Sequence, residues 1–374
     1  QVIGLTDLKS NMNYVPSSNP GYLARIKSSG AEMAPKSFQV KSGIIVLAFD
    51  GGMEIHVKAE QKKDYIRFGV VRTVHPEKIQ AVLWGPFNTT ISDTIGEVVA
   101  VVRNRDFAIG MRALNAKTIG GKLTNEEGIT TGSASIGGSA ASPEAFGSAM
   151  QAFCLNQSVD RVIKVWHHHN NVPVHGLKDY KMEGTAVALF GTTPGKALKT
   201  IGVINQAEGL PYQVIDGNWT RISKITGKPY LISSFSEENF DEMLGYTERL
   251  GFYSIYHSHP FDTWGHFDLL KNLFPNGREG MRSCVEKAKA KNIRVGVHTL
   301  TNFITTNDPF VTTEANSGLM AAGISILQAD IDDKATEIIV DNYEYFAQVS
   351  TLNSVLIGNE IIRYREVTKD KPHK

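Results

Sequence analysis

Residues 230–297 restrict the fold more than any other stretch, because apolar runs of two different periods alternate there. Tyr230–Phe235, Phe252–Tyr256 and Ile293–Val297 are short apolar runs that read as strands. Between the first two, Phe240, Met243, Leu244 and Leu250 recur at helical spacing. Ser236 can cap the helix they imply, and Gly251 can end it. Between the second and third, Met281, Cys284, Val285 and Ala288 share one helical face. Asn276, with Glu279 three residues on, resembles a capping box for that helix. Strand, helix, strand, helix, strand at this spacing predicts parallel βα units. Residues 222–310 hold about three such repeats, whereas a closed barrel takes eight over roughly 250 residues. The expectation is an incomplete TIM-type barrel.

Upstream the period shortens to that of strands. Gly43–Phe49, Met53–Val57, Tyr65–Val71, Ala81–Leu83, Gly96–Val102, Phe107–Ala113, Arg161–Trp166 and Thr185–Phe190 are short runs rich in Val and Ile. Turn residues such as Asp50-Gly51-Gly52 and Asn104-Arg105-Asp106 separate them, which predicts an antiparallel β-sandwich. Residues 1–40, rich in Ser, Asn, Pro and Gly, predict an irregular start. The small-residue stretch 128–149 predicts a surface excursion, and Gly195–Gln206 a short linker helix. After residue 315 strands return at Ile324–Ala329, Thr336–Val340, Val355–Ile357 and Glu360–Tyr364. The chain is therefore expected to be multidomain: a β-sandwich with its linker helix over 1–206, the first βα units over 207–315, and a small β module over 316–374.

Composition removes several classes of function. A net charge of +1 over 374 residues leaves no basic stripe for nucleic acid. No apolar run reaches the roughly 18 residues a membrane span needs. Cys154 and Cys284 are the only cysteines and do not indicate a disulfide framework. The chain starts at Gln1 without a leader, so either a leader has been removed or the sequence is an excised fragment.

Chemistry-bearing residues concentrate in the loops after the second and third predicted parallel strands. The first loop holds His257, His259, Asp262, Trp264, His266 and Asp268; the second holds His298, Asn302, Asn307 and Asp308. In α/β folds the carboxyl edge of the strands is where ligands bind. Trp264 offers a flat apolar face to a pyranose ring, and His, Asp and Asn can match hydroxyls with directional hydrogen bonds. Candidate saccharide contacts are His257, His259, Asp262, Trp264, His266, His298, Asn302 and Asp308. An alternative is a metal-dependent hydrolase using His257, His259 and His298, although no spacing fixes a further carboxylate ligand. A plainer alternative makes His257 and His298 satisfied core residues. Other motifs are incomplete. Gly191–Ala197 lacks one residue of a phosphate loop and its Ser or Thr. His167–His169 reads as a strand end, and Asp330, Asp332 and Asp333 read as a turn.

A family resemblance rests on these same residues. Phe252–Tyr256, Phe274-Pro275-Asn276-Gly277, the helix face at Met281, Val285 and Ala288, and Ile293–His298 resemble the second and third βα units of alpha-galactosidase-like, melibiase-clan barrels. GLPYQVIDGNW at 209–219 and HPFDTWGHF at 259–267 resemble large secreted bacterial proteins that process polysaccharides. The resemblance covers about 210–312. It implies a TIM barrel preceded by a β-sandwich, hydrolysis of O-glycosyl bonds without an organic cofactor, an oligo- or polysaccharide partner, and a secreted or periplasmic location. The sequence departs from the clan where His257-Ser258-His259 replaces its paired acids. The clan's nucleophile and acid sit on later strands, so the catalytic carboxylates are expected outside this sequence. Hydrolysis needs two carboxyl groups flanking the scissile bond, and no pair among Asp262, Asp268 and Asp308 is assigned that task. A non-catalytic carbohydrate-binding protein is the alternative reading.

Overall fold

A computed structural model describes residues 1–123, 140–165, 169–301, 304–319, 321, 323–343, 346 and 353–374, with the backbone alone for 162–165 and 169–174. The chain divides into two compact units, Gln1–Ile222 and Ser223–Lys374. No helix among the described residues is long and apolar enough to cross a membrane.

The first unit is built from two antiparallel sheets. One has eight strands in the order Thr94–Gly96, Val101–Arg103, Ala108–Ala113, Ala186–Thr192, Ile66–Val74, Glu54–Gln61, Ile44–Ala48 and Ser37–Lys41. The other runs Ile119–Gly120, Gly147–Leu155, Ala81–Thr89, Ala24–Ser28 and Ala31–Met33, with Ala141–Glu144 also paired to Gly147–Leu155. Alternate side chains of both sheets meet in one buried cluster: Ile55, Val57, Val70, Ile109, Met111 and Val187 face Ile26, Val82, Trp84, Met150 and Ala152. The Trp84 indole donates to the Thr185 hydroxyl at 3.0 Å, so its buried N–H is satisfied. The intervening residues Ala108, Ala186, Ala188 and Phe190 face outward onto helix α1 (Ala197–Ala207), which presents Ala197, Ile201 and Ile204. At the end of α1, Glu208 accepts from the Tyr65 hydroxyl at 2.6 Å and from Arg67 Nε at 3.1 Å.

Residues 1–40 are not the irregular start expected, because Ala24–Ser28, Ala31–Met33 and Ser37–Lys41 are strands. Their Ser, Gly and Pro lie in tight turns between short runs, which hides the alternation; Ala24 and Ile26 are nevertheless completely buried. The strand expected at Ala81–Leu83 continues to Thr89 because Trp84 and Phe87 anchor it in the core. Gly147–Leu155 forms a strand in which Met150 and Phe153 are buried, and at its start a Cβ on Gly147 would strike the Thr89 carbonyl. Residues 128–139 of the expected excursion, and His167 and His168, lie outside the described residues.

The second unit begins with a three-stranded parallel sheet, Tyr230–Ile232, Ser254–His257 and Arg294–Val297, in that order. Helices α2 (Phe240–Arg249) and α3 (Gly277–Ala290) cross between successive strands, as the two sequence periods require. Leu231, Ile255 and Val295 stand in register on the helix-covered face, over Phe235, Phe240, Leu244, Phe274, Cys284, Ala288 and Ile293. The opposite face leaves Tyr230 54% and Ile232 60% exposed, and no barrel closes among the described residues. The cap of α3 differs from the expected box. The Asn276 main-chain N–H and side-chain amide both donate to Glu237, at 2.9 and 2.8 Å, while Glu279 pairs with Arg282. A carboxylate from the loop ahead of α2 thus sits at the positive end of α3. Near the C-terminus, Ser354–Ile357 and Glu360–Arg363 form a hairpin. Ile324–Ala329 and Thr336–Val340 do not form the expected strands; they meet only through the isolated bridge Leu327–Val340.

Candidate functional site

The carboxyl ends of the second and third parallel strands feed two loops that fasten to each other. The first folds back on itself: the Asp262 N–H donates to the Asp268 carbonyl at 2.7 Å, and Phe261 bridges Leu269. Trp264 stands near the tip of this excursion, where Gly265 and Phe267 take positive φ values of +140° and +56° to reverse the chain. The second loop then docks against it. The Trp264 N–H donates to the Thr305 hydroxyl and the Thr305 N–H to the Trp264 carbonyl, both at 2.9 Å. Asn307 Nδ2 donates to the Asp262 carbonyl at 3.1 Å.

Asp308 is the centre of the clasp. Its side chain is completely buried, and its oxygens accept from the His266 N–H at 2.7 Å, His266 Nδ1 at 2.8 Å and the Phe310 N–H at 2.9 Å. The Thr263 hydroxyl donates to the same carboxylate and accepts from the Asp268 N–H at 3.1 Å. Burial alone would raise the Asp308 pKa, but these donors outweigh it and bring the group down to about 2. Gly265 is required beneath it, since a Cβ there would lie 2.6 Å from the carboxylate carbon.

His257 ends the second strand facing the helices. It is 1% exposed, with Phe235 and Phe274 ring centroids 5.0 and 6.0 Å away. Its Nδ1 accepts the His259 N–H at 3.1 Å, which places its proton on Nε2. No group among the described residues meets hydrogen-bond geometry with that buried Nε2. Burial depresses the His257 pKa and His259 adds to the effect, while the nearby Phe235 carbonyl pulls upward.

The predicted site residues therefore separate into two layers. His259, Asp262 and His266 are exposed at the rim, and Trp264 and His298 are half-buried between them, their rings 5.9 Å apart and edge to face. His259 and His298 rings are 6.5 Å apart. His257 and Asp308 lie below, where they shape the loops. Asn302 lies outside the described residues. Among the described residues, no three His, Cys, Asp or Glu side chains converge as metal ligands. Sequence reasoning missed Thr263, Gly265, Thr305 and Phe310, which hold the loops in place. The Asp308-Pro309 turn signal marks one of these contacts, the Asp308 side chain accepting the N–H two residues on.

No protein-family model and no curated protein matches the sequence. Among solved structures, the chain is similar to the alpha-N-acetylgalactosaminidase NagBb of Bifidobacterium bifidum in its Gal-NHAc-DNJ complex. The TM-score is 0.41 at 10% identity, over 80% of this chain and 58% of that one. It is also similar to the alpha-galactosidase TtGalA of Thermus thermophilus, with a TM-score of 0.27 at 12% identity over 76% and 50% of the two chains. For the GH36 alpha-galactosidase AgaA of Geobacillus stearothermophilus the TM-score is 0.32 at 10% identity, over 81% and 46%. The chain thus spans between 46% and 58% of the length of these enzymes.

Proposed function

We propose that the two carboxyl-edge loops of the second unit form a saccharide subsite in a glycoside-hydrolase-like protein. One observation carries this reading. Trp264 stands half-exposed beside His298, within a rim of His259, Asp262 and His266, on loops that the buried Asp308 locks together. An aromatic face bordered by directional polar groups suits a pyranose ring, which is apolar on its faces and polar around its edge. The sequence resemblance to alpha-galactosidase-like proteins points the same way. The three parallel strands are read as the opening of a TIM-type barrel, and the protein as one that meets an oligo- or polysaccharide outside the bacterial cytoplasm.

A binding role within this chain is favoured over catalysis by the state of Asp308. Both of its oxygens are occupied by donors, so it can act neither as a nucleophile nor as a general acid. That leaves exposed Asp262 and Asp268, and no pair that flanks one bond is assigned. A metal site at His257, His259 and His298 is not supported, because the His257 ring is buried and its Nδ1 is committed to the His259 amide.

The test is Trp264→Ala, measured by calorimetric titration with galactose-, fucose- and uronate-containing oligosaccharides. Loss of the stacking face is expected to weaken binding about tenfold while leaving the fold intact. Unchanged affinity across the panel would remove the subsite.

A further inference from the structure

His266 and Asp308 form a pair whose hydrogen-bond polarity is fixed by geometry. Two of the donors on Asp308 are main-chain N–H groups, which can only donate, so the carboxylate is an acceptor on both oxygens. The His266 ring nitrogen 2.8 Å away must therefore be the donor, with its proton on Nδ1. In the neutral ring this leaves Nε2 with its lone pair and no proton. The ring is steadied by Phe310, 4.3 Å away between centroids, and the His266 carbonyl accepts from Arg278 Nη2 at 3.0 Å. The His266 side chain is 42% exposed, at the rim beside Trp264. Without a carboxylate behind it, a neutral imidazole can present either nitrogen as its proton-bearing end. Here only one arrangement is compatible with the buried charge.

Resting on the saccharide reading above, we infer that His266 is the hydrogen-bond acceptor of the subsite, held in that role by Asp308 as a positioning residue. The group it recognises is a sugar hydroxyl, which donates to Nε2. With the ring neutral, a carboxylate or sulfate at the same place has no proton to give and faces the bare lone pair, so in that state the subsite selects a neutral sugar residue at this position.

The experiment uses the full chain labelled with nitrogen-15 at histidine. Long-range proton–nitrogen spectra read the tautomer of each ring, and His266→Asn assigns the His266 signals. The Asn amide can still donate to Asp308, so this variant keeps the clasp while removing the outward acceptor. Wild-type His266, with the ring neutral, is expected to show a protonated Nδ1 and a bare Nε2; the opposite tautomer would overturn the inference. Galacto-oligosaccharides are then expected to shift the Nε2 signal, and His266→Asn to weaken their binding five- to tenfold. Oligouronates shifting Nε2 in preference to neutral sugars would overturn the selectivity. If the tautomer is as expected but no oligosaccharide shifts His266, His298 or Trp264, the saccharide reading itself fails, and the acceptor role with it.

Discussion

Replacing Gly265 by Ala probes the clasp where it is tightest. Gly265 has φ of +140°, and a Cβ there would lie 2.6 Å from Cγ and Oδ1 of Asp308 and 2.7 Å from Oδ2. Two costs follow. An L side chain at such a φ costs about 1–3 kcal/mol in backbone strain. The carboxylate must also move, and it is buried with both oxygens committed to His266, Phe310 and Thr263. Breaking one charge-assisted hydrogen bond costs about 1.5–3 kcal/mol. With one such bond lost, Gly265→Ala should destabilise this region by roughly 3–5 kcal/mol, a large share of the ~5–15 kcal/mol that holds a typical domain. Asp308→Ala alone should cost roughly 3 kcal/mol, by leaving buried donors unpaired. Urea denaturation of both single variants and the double variant, followed by amide exchange at His266 and Phe310, separates the terms. Removing the carboxylate also removes the clash, so the double variant should cost about 2 kcal/mol less than the sum. Costs that add to within about 0.5 kcal/mol would refute a direct contact between the two positions.

Three other outcomes are expected. Asp308 has a folded pKa of about 2, below its ordinary 3.8, so its contribution is fully present above about pH 4 and is lost as the pH falls towards 2. It amounts to no more than about 2 kcal/mol. Asp308→Asn should therefore show a shallower fall in urea midpoint over that window, and an unchanged slope would contradict the assignment. Gly280→Ala would ordinarily stabilise a helix by roughly 1 kcal/mol. Here a Cβ falls on the Glu237 carboxylate at the start of α3, so differential scanning calorimetry should show no gain; a raised melting temperature would disprove the close approach. Trp84→Ala should destabilise the first unit by about 3–5 kcal/mol, as the loss of a completely buried aromatic does. A loss below 1 kcal/mol by urea titration would show that the two sheets do not share the core described.

The repeating parts of the fold were legible because periodicity encodes them. Ile255 and Val295 sit where alternation places them, and α2 and α3 bury the faces their spacing marks. Legibility failed where small or polar residues build strands. Ala24–Ser28 and Gly147–Leu155 bury Ile26, Met150 and Phe153, but the small and polar residues beside these mask the alternation. It failed also at 324–340, where apolar residues such as Ile324 remain exposed and pair through isolated bridges. Within the site, residue types marked the two loops, but type alone did not separate rim from support. For His257 a signal existed: it follows Ile255 by two residues and so shares its helix-facing side. For the Asp308–His266 pairing none did, since the two lie 42 residues apart and no spacing rule joins them; the Asp308-Pro309 turn marks only the contact with Phe310.

The carboxyl-edge loops as a saccharide site face their most direct trial in ligand mapping by NMR. The full chain would be titrated with the oligosaccharide panel while the Trp264 indole and the His259, His266 and His298 rings are followed. A saturable titration that shifts these four groups together, with the buried His257 ring little changed, is the expected result. Saccharide binding that leaves all four unmoved, or no binding by any member of the panel, would contradict it.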